Sequence, residues 1–529
     1  MHLILHPMKK RLTAILVFVI LALHAGYSGD PADPSQPNII FIMTDDHANR
    51  AMSCYGSDLI RTPNMDRIAR EGMRFDNSFV TNSICAPSRA VMLTGKYSHM
   101  NGLRDNRDEF DGSQQTFVKL LRAAGYFTAI VGKWHLKTQP TGFDYWNVLI
   151  DQGEYYNPRL IEQGDTTRVQ GYTTDVITDI ALKTIDNRDP NQPFCLLLHH
   201  KAPHRNWMPD AKHLSLFEDQ DIPLPPTFWD DYATRSTAAS TQDMRVADMY
   251  LSFDMKLMPG DFEKETGTGG NGRFNPVPNW LATYNALTPD QRAAWDAHYD
   301  RVRQDFREKK PEGRALAEWK YQQYMKDYLR CVVSVDENIG RVLDYLDQHG
   351  LTENTIIVYT SDQGFYLGEH GWYDKRFMYE PSFRMPLLIR YPKRVKAGQV
   401  SKDLALNLDF APTFLDYAGV PVPADMQGKS LRPLLEQKHK SGWRKSIYYQ
   451  YYEYPHGWHK VKRHYGIRTG RYKLIHFYND IDAWELYDLK KDPDELVNLA
   501  DNPKYKRTVG KLKAELGKLR VEFKVPEDN

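Results

Sequence analysis

The residues best suited to chemistry in this chain are short blocks of cysteine, carboxylate, lysine and histidine, most of them lying just beyond an apolar run. Cys85 opens the string Cys85-Ala86-Pro87-Ser88-Arg89, and the run Ala90-Val91-Met92-Leu93 follows it. Proline suits a first helical turn because its missing N–H would be unpaired there, so Cys85 is read at a helix N-terminus, where the backbone dipole favours negative charge. Arg89 falls within the next turn and adds a fixed cation. Asp45 and Asp46 follow the run 38–43, and Asp362 and Gln363 follow the run 355–359. Oxygen ligands of this kind suit calcium or magnesium and not zinc. Lys133 and His135 come after residues 127–131, Lys201 and His204 after residues 194–198, and Asp374-Lys375-Arg376 shortly after Gly364. Taken singly, an Asp-Asp pair is also a common solvated turn, and strand-end Lys and His are common surface residues.

The elements that must position these blocks are legible as patterns. Continuous apolar runs at 38–43, 127–131, 194–198, 355–359 and 386–389 read as buried strands. Helical patterns at 115–124 and 328–346 alternate with them, which predicts an α/β fold with a mostly parallel sheet flanked by helices. In such sheets ligands gather at the carboxyl ends of strands. Residues 205–319 are rich in proline and tryptophan and carry a Gly-rich tract at 266–272, which reads as an insertion with local helices lining the rim of the site. After Gly442, residues 446–454 and 464–478 read as antiparallel strands and residues 505–523 as a helix, a smaller α+β C-terminal domain.

With 529 residues the chain is long enough for one large unit and one small. Its formal charge of +1 gives no bulk attraction for nucleic acid or another polyanion, so anion recognition has to be local. Lys9, Lys10 and Arg11, the apolar residues 12–23 and the small residues near 25–28 predict a secretory signal peptide over 1–28. The apolar run is shorter than the ~20 residues a spanning helix needs. The expectation is an exported protein, periplasmic or secreted, with a lipid anchor as the second reading, a catalytic domain over 29–441 and a C-terminal one over 442–529. Of the four cysteines, Cys195 and Cys331 read as buried thiols, and at most one disulfide is available without Cys85.

The full string from Cys85 to Arg89, followed by Leu93-Thr94-Gly95-Lys96, resembles the type I sulfatase signature, and the other blocks fall in that family's order from about Pro37 onward. The resemblance implies an alkaline-phosphatase-like fold and oxidation of Cys85 to formylglycine by a formylglycine-generating maturation enzyme. It implies Asp45, Asp46, Asp362 and Gln363 as ligands of one divalent metal, usually calcium, although many relatives carry Asn or His where Gln363 stands. Gly132-Lys133-Trp134-His135 matches a family block, and by resemblance Lys133, His135, His204 and Lys375 surround the sulfate with Arg89 beside position 85. His199 and His200 are rivals to His204. The hydrated aldehyde would attack sulfur to give a covalent sulfate, which C–O cleavage releases, with His204 as acid, aided by Lys375, and His135 as base.

Residues 368–372, 374–376, 378–380 and 463–468 most resemble bacterial N-acetylglucosamine-6-sulfatases. This implies a sulfated carbohydrate substrate, with Asp374, Arg376 and His464 reading the sugar. The competing readings are a sulfatase for another glycan, a phosphonate or phosphate-ester hydrolase of the same wider superfamily, and a glycan-binding protein with a decayed site. Nucleic acid and a stable membrane span are not expected.

Overall fold

In the computed structural model, which describes residues 36–265, 274–438 and 442–527, the first apolar run is strand β1 (Asn38–Thr44), buried along its whole length. Ile39, Phe41 and Met43 enter one core and Ile40 and Ile42 the other, as the two-residue period of a strand covered on both faces requires. Each such side chain stabilises the fold by about 1.5–3 kcal/mol relative to exposure. The remaining strands, in chain order, are β2 (Met73–Phe75), β3 (Ser78–Phe79), β4 (Phe127–Lys133), β5 (Tyr145–Leu149), β6 (Arg159–Glu162), β7 (Asp165–Arg168) and β8 (Phe194–His199). After a long helical stretch come β9 (Thr355–Ser361), β10 (Leu387–Arg390), β11 (Gln399–Ser401), β12 (Ala405–Leu406), β13 (Ser446–Tyr451), β14 (His464–Thr469), β15 (Tyr472–Phe477) and β16 (Ala483–Asp488).

Ten strands form one mixed sheet in the order β11-β2-β10-β9-β1-β8-β4-β5-β6-β7. Its centre, β9-β1-β8-β4-β5, is parallel, so all five carboxyl ends reach the same edge. The register pairs Thr44 with Ser361 and Gly132 with His199, which sets the blocks that follow β1, β9, β4 and β8 side by side. At the β4 end glycine is obligatory: Gly132 has φ +103°, and a Cβ there would lie 2.0 Å from the His199 carbonyl oxygen.

The expected strands and the C-terminal antiparallel sheet, β13-β14-β15-β16, are present, with helix Lys506–Glu522 following. Two expectations needed extending. The helix read at 328–346 runs from Gly313 to Gln348, because charges that interrupt the apolar pattern are paired inside. Lys256 reaches Asp327 at 2.6 Å, Arg330 reaches the same carboxylate at 3.0 Å, and Lys320 donates to the Ala247 and Met249 carbonyls. The short strands β5 to β7 lack a long apolar run and were not anticipated. Residues 1–28 and the Gly-rich tract 266–272 lie outside the described residues. All four cysteines are free thiols, with Cys195 and Cys331 buried.

Candidate active site

Cys85 is the first residue of helix Cys85–Thr94, whose ten residues are all buried and which Gly95 closes in a left-handed turn, its N–H donating to Val91 O at 2.8 Å. The Cys85 thiol faces Asp45 Oδ1 at 3.4 Å. Burial pushes it up to about 12, outweighing the nearby Lys375 and Arg89 cations and the helix dipole. Arg89, one turn on, donates from Nε and Nη2 to Asp362 Oδ2 at 3.1 and 2.9 Å and from Nη1 to Lys133 O. The helix thus fixes the spacing between Cys85 and the cation that clamps the β9 carboxylate.

Asp45, Asp46 and Asp362 are fully buried, and their carboxylate oxygens lie within 4.8 Å of one another. The parallel register brings them together: the Asp46 N–H donates to Asp362 Oδ1 at 3.2 Å. Lys133 Nζ contacts Asp45 Oδ2, and Lys375 Nζ donates to Asp46 Oδ2 at 2.7 Å. Burial raises Asp46 to about 6 against the pull of Lys375. Gln363 donates from Nε2 to Asp46 Oδ1 at 2.5 Å, while its buried Oε1 has no partner. Three carboxylates and an orphaned amide oxygen form a hard, all-oxygen donor set that fits a divalent cation such as calcium or magnesium.

His204, on the segment after β8, places Nε2 3.7 Å from Asp46 Oδ2 and donates from Nδ1 to Arg205 O at 2.5 Å. Burial and the cations Lys133, Lys375 and Lys201 hold the ring well below the usual histidine range. His135 is pushed down by burial and by Lys133, and its Nδ1 has no partner. Lys375 stays charged: burial pulls it down, but the Asp374 and Asp46 carboxylates raise it. Asp46, His135, Asp374 and Arg376 all have positive φ, at 70°, 56°, 72° and 92°. Left-handed backbone in non-glycine residues is costly and gathers where a site over-determines geometry.

Cys85, His135, His204, Asp374, Lys375 and Arg376 together line a cavity of about 690 Å³. The rivals His199 and His200 are buried and do not line it. Neither does His464. That residue begins β14, fully buried, with Nε2 accepting from the Met378 N–H at 3.1 Å and Nδ1 donating to Lys462 O at 2.8 Å. The rings of Phe377, Tyr449, Tyr451 and Phe477 pack around it, so it serves the core behind the site.

Its expected place is taken by His459, which lines the cavity and puts Nε2 3.3 Å from Asp374 Oδ2 while Nδ1 faces Asp243. Arg376 contacts Asp374 and reaches Glu453 Oε2 at 3.4 Å. Gln152 was also missed: its amide contacts Lys133 Nζ and lies 3.1 Å from His135 Nε2, tying two site residues together. It follows β5, and the strand-end rule would have found it had that strand been recognised.

The sulfatase family model matches residues 37–420, and the model described as N-sulphoglucosamine sulphohydrolase, C-terminal, matches residues 368–522. An N-acetylglucosamine-6-O-sulfatase of Bacteroides thetaiotaomicron is 50% identical over 97% of this chain and 91% of its own length. A solved structure of a protein in complex with its substrate D-glucosamine-2-N,6-O-disulfate shares 52% identity, with TM-score 0.88 over 93% of this chain and 99% of that one. A phosphonate monoester hydrolase of Silicibacter pomeroyi, at 20% identity and TM-score 0.67 over 92% of this chain and 95% of that one, shares the fold alone. The chain belongs to the sulfatase family.

Proposed function

We propose that this chain is a sulfuric ester hydrolase that removes the 6-O-sulfate of N-acetylglucosamine units in glycans. The observation that carries the reading is the convergence of Cys85, three buried carboxylates and the basic residues Arg89, Lys133 and Lys375 beside a cavity lined by Cys85, Lys375, Asp374, Arg376 and His459. The half-identical N-acetylglucosamine-6-O-sulfatase supports the substrate.

Asp45, Asp46, Asp362 and the Gln363 carbonyl would hold one calcium ion, which when bound supplies positive charge to the sulfate oxygens and the nucleophile. Conversion of Cys85 to formylglycine would supply a hydrated aldehyde as nucleophile, which the buried, protonated thiol is not. Cys85 is only 1% exposed, so the maturation enzyme would have to reach it before the fold closes. Lys133 and Lys375 neutralise the sulfate oxygens from preset positions, an electrostatic arrangement of the kind that lowers barriers by several kcal/mol. His204 gives a proton to the departing sugar oxygen, its proton affinity restored once a sulfate ester offsets the surrounding lysines. His135, with its free Nδ1, takes a proton on the opposite side. Asp374, Arg376 and His459 hold the sugar hydroxyls.

Residues 1–28 would direct export to the periplasm or beyond; among the described residues no helix is long and apolar enough to cross a membrane. The test is hydrolysis by purified enzyme, read as sulfate released from N-acetylglucosamine 6-sulfate, galactose 6-sulfate and 2-O-sulfated uronic acid and as phenol released from an aryl phosphonate monoester. Turnover on the first well above the rest is expected, and a phosphonate preference would overturn the reading.

A further inference from the structure

His204 sits on irregular backbone after β8, at the end of a turn in which its N–H donates to Lys201 O at 3.1 Å. No helix or strand holds the ring, so its aim depends on what grips the segment. Tyr155 Oη donates to His204 O at 2.7 Å, and His204 Nδ1 donates to Arg205 O at 2.5 Å. A ring nitrogen bonded to a carbonyl has to carry a hydrogen, so the hydrogen available for transfer belongs to Nε2, the nitrogen 3.7 Å from Asp46 Oδ2.

The Arg205 side chain supplies the remaining grip. Its Nε and Nη2 each donate at 2.6 Å to a different oxygen of Asp254, and two parallel bonds fix the plane of the guanidinium as well as its distance. The rings of Tyr250, Phe253 and Tyr373 lie 5.3, 5.6 and 5.1 Å from its central carbon. Asp254 is fully buried and also accepts the Tyr250 N–H at 2.8 Å. A buried ion pair is weak evidence for stability, because apolar residues can fill the same space as well. Orientation is what this pair adds. Arg205 borders the cavity, whereas Asp254 does not.

We propose that Arg205 and Asp254 are positioning residues for the acid. The ion pair anchors the segment, the Arg205 carbonyl holds the Nδ1 hydrogen and sets the ring plane, and Nε2 is thereby aimed at the sugar oxygen. As the bond from sulfur to that oxygen breaks, the Nε2 hydrogen passes to it and the imidazolium becomes neutral. Asp254, Tyr250 and Phe253 belong to the proline- and tryptophan-rich insertion, which therefore serves catalysis from outside the sheet that carries the carboxylates. This rests on the reading of His204 as the acid of a sulfatase and deepens it.

The test compares wild type, Arg205→Lys, Asp254→Asn and His204→Ala on 4-nitrophenyl sulfate, phenyl sulfate and N-acetylglucosamine 6-sulfate, whose leaving groups are increasingly basic. Arg205→Lys keeps the charge and loses the two-bond geometry, and Asp254→Asn keeps the shape and loses the ion pair, so either variant alone decides the matter. Both should stay within about three-fold of wild type on 4-nitrophenyl sulfate. Their loss should grow along the series to about ten- to a hundred-fold on the sugar, in kcat more than KM, and stay below that of His204→Ala. In a His204→Ala background neither should cost anything further.

Equal losses of the single variants on all three substrates, or no loss on any, would overturn the proposal. So would a further loss of the same factor in the His204→Ala background, which would make Arg205 a direct substrate contact. Failure of the parent reading shows separately: His204→Ala losing equally across the series removes the acid, and this proposal with it. A wild type that hydrolyses the aryl sulfates but not the sugar changes the substrate alone, and the two aryl sulfates then carry the comparison.

Discussion

His459 Nε2 lies 3.3 Å from Asp374 Oδ2, so a residue of the C-terminal segment completes the hydrogen bonding of a carboxylate that stands next to Lys375. Arg376 holds the same carboxylate from the other side, and the pair keeps Asp374 ionised: burial pushes it up, but Arg376, Lys375 and His459 together hold it well below the usual carboxylate range. The sugar-reading wall is thus a joint product of two parts of the chain.

Replacing Asp374, Arg376 or His459 by Ala should lower kcat/KM on N-acetylglucosamine 6-sulfate by roughly a hundred-fold or more, since a buried polar site left unpaired discriminates strongly. A generic aryl sulfate, lacking the hydroxyls, should lose far less. His464→Ala is the contrast. It should cost about 3 kcal/mol of stability by opening a cavity in the aromatic core, read as a lower Tm, with the ratio of sugar to aryl turnover retained.

Cys85→Ala should fold normally and lose turnover by roughly 10⁴-fold or more, as removal of a nucleophile does. Mass spectrometry of the peptide holding residue 85 in active wild-type protein should show the formylglycine mass in place of cysteine. A fully active preparation carrying only cysteine would refute the nucleophile.

Elemental analysis of purified protein should find one calcium per chain. Chelation should lower both activity and Tm. A cation present at a hundredfold its Kd contributes about 2.7 kcal/mol to the folded state. Stoichiometric zinc without calcium or magnesium would contradict the oxygen donor set.

His204→Ala should slow sugar sulfates by about 10²–10⁴-fold and activated aryl sulfates by far less, because only the poor leaving group needs a proton at the departing oxygen. Equal losses on both would remove His204 as the acid.

Where the C-terminal sheet meets the catalytic part, Lys473 lies 2.9 Å from Glu380 Oε1 and 2.7 Å from Glu495 Oε1. One lysine cannot fully serve both carboxylates. Burial, offset in part by Lys473, raises Glu495 to about 7, while Glu380 is held to about 2 by Lys473 and Arg468 against its own burial. A raised carboxyl gives stability that is fully present below its unfolded value and lost as pH rises through the folded one. Wild type should therefore lose stability relative to Glu495→Gln between about pH 4.5 and 7, by at most about 1.4 kcal/mol per pH unit, and run parallel to it above about pH 8. Thermal unfolding of both proteins across that range decides it, and curves parallel throughout would place the proton elsewhere.

The sequence by itself determined the parts whose physics is local. Apolar runs such as 38–43 can only be satisfied by burial on both faces, so the central strands and the residues at their carboxyl ends could be read directly, as could the helix that Pro87 and the following apolar residues begin at Cys85. That made Asp45-Asp46, Lys133 to His135 and Asp362-Gln363 the residues to inspect, and the resemblance to the sulfatase signature supplied their expected roles. Tertiary structure alone decided which of several chemically equivalent residues face the cavity. His464 and His459 are both histidines five positions apart, but the start of β14 turns the first into an aromatic core, and the preceding loop, with His459 at φ +71°, turns the second toward Asp374. Gln152 was hidden for a related reason: the strand β5 that places it lacks a long apolar run, and its partner His135 comes from another segment of the chain.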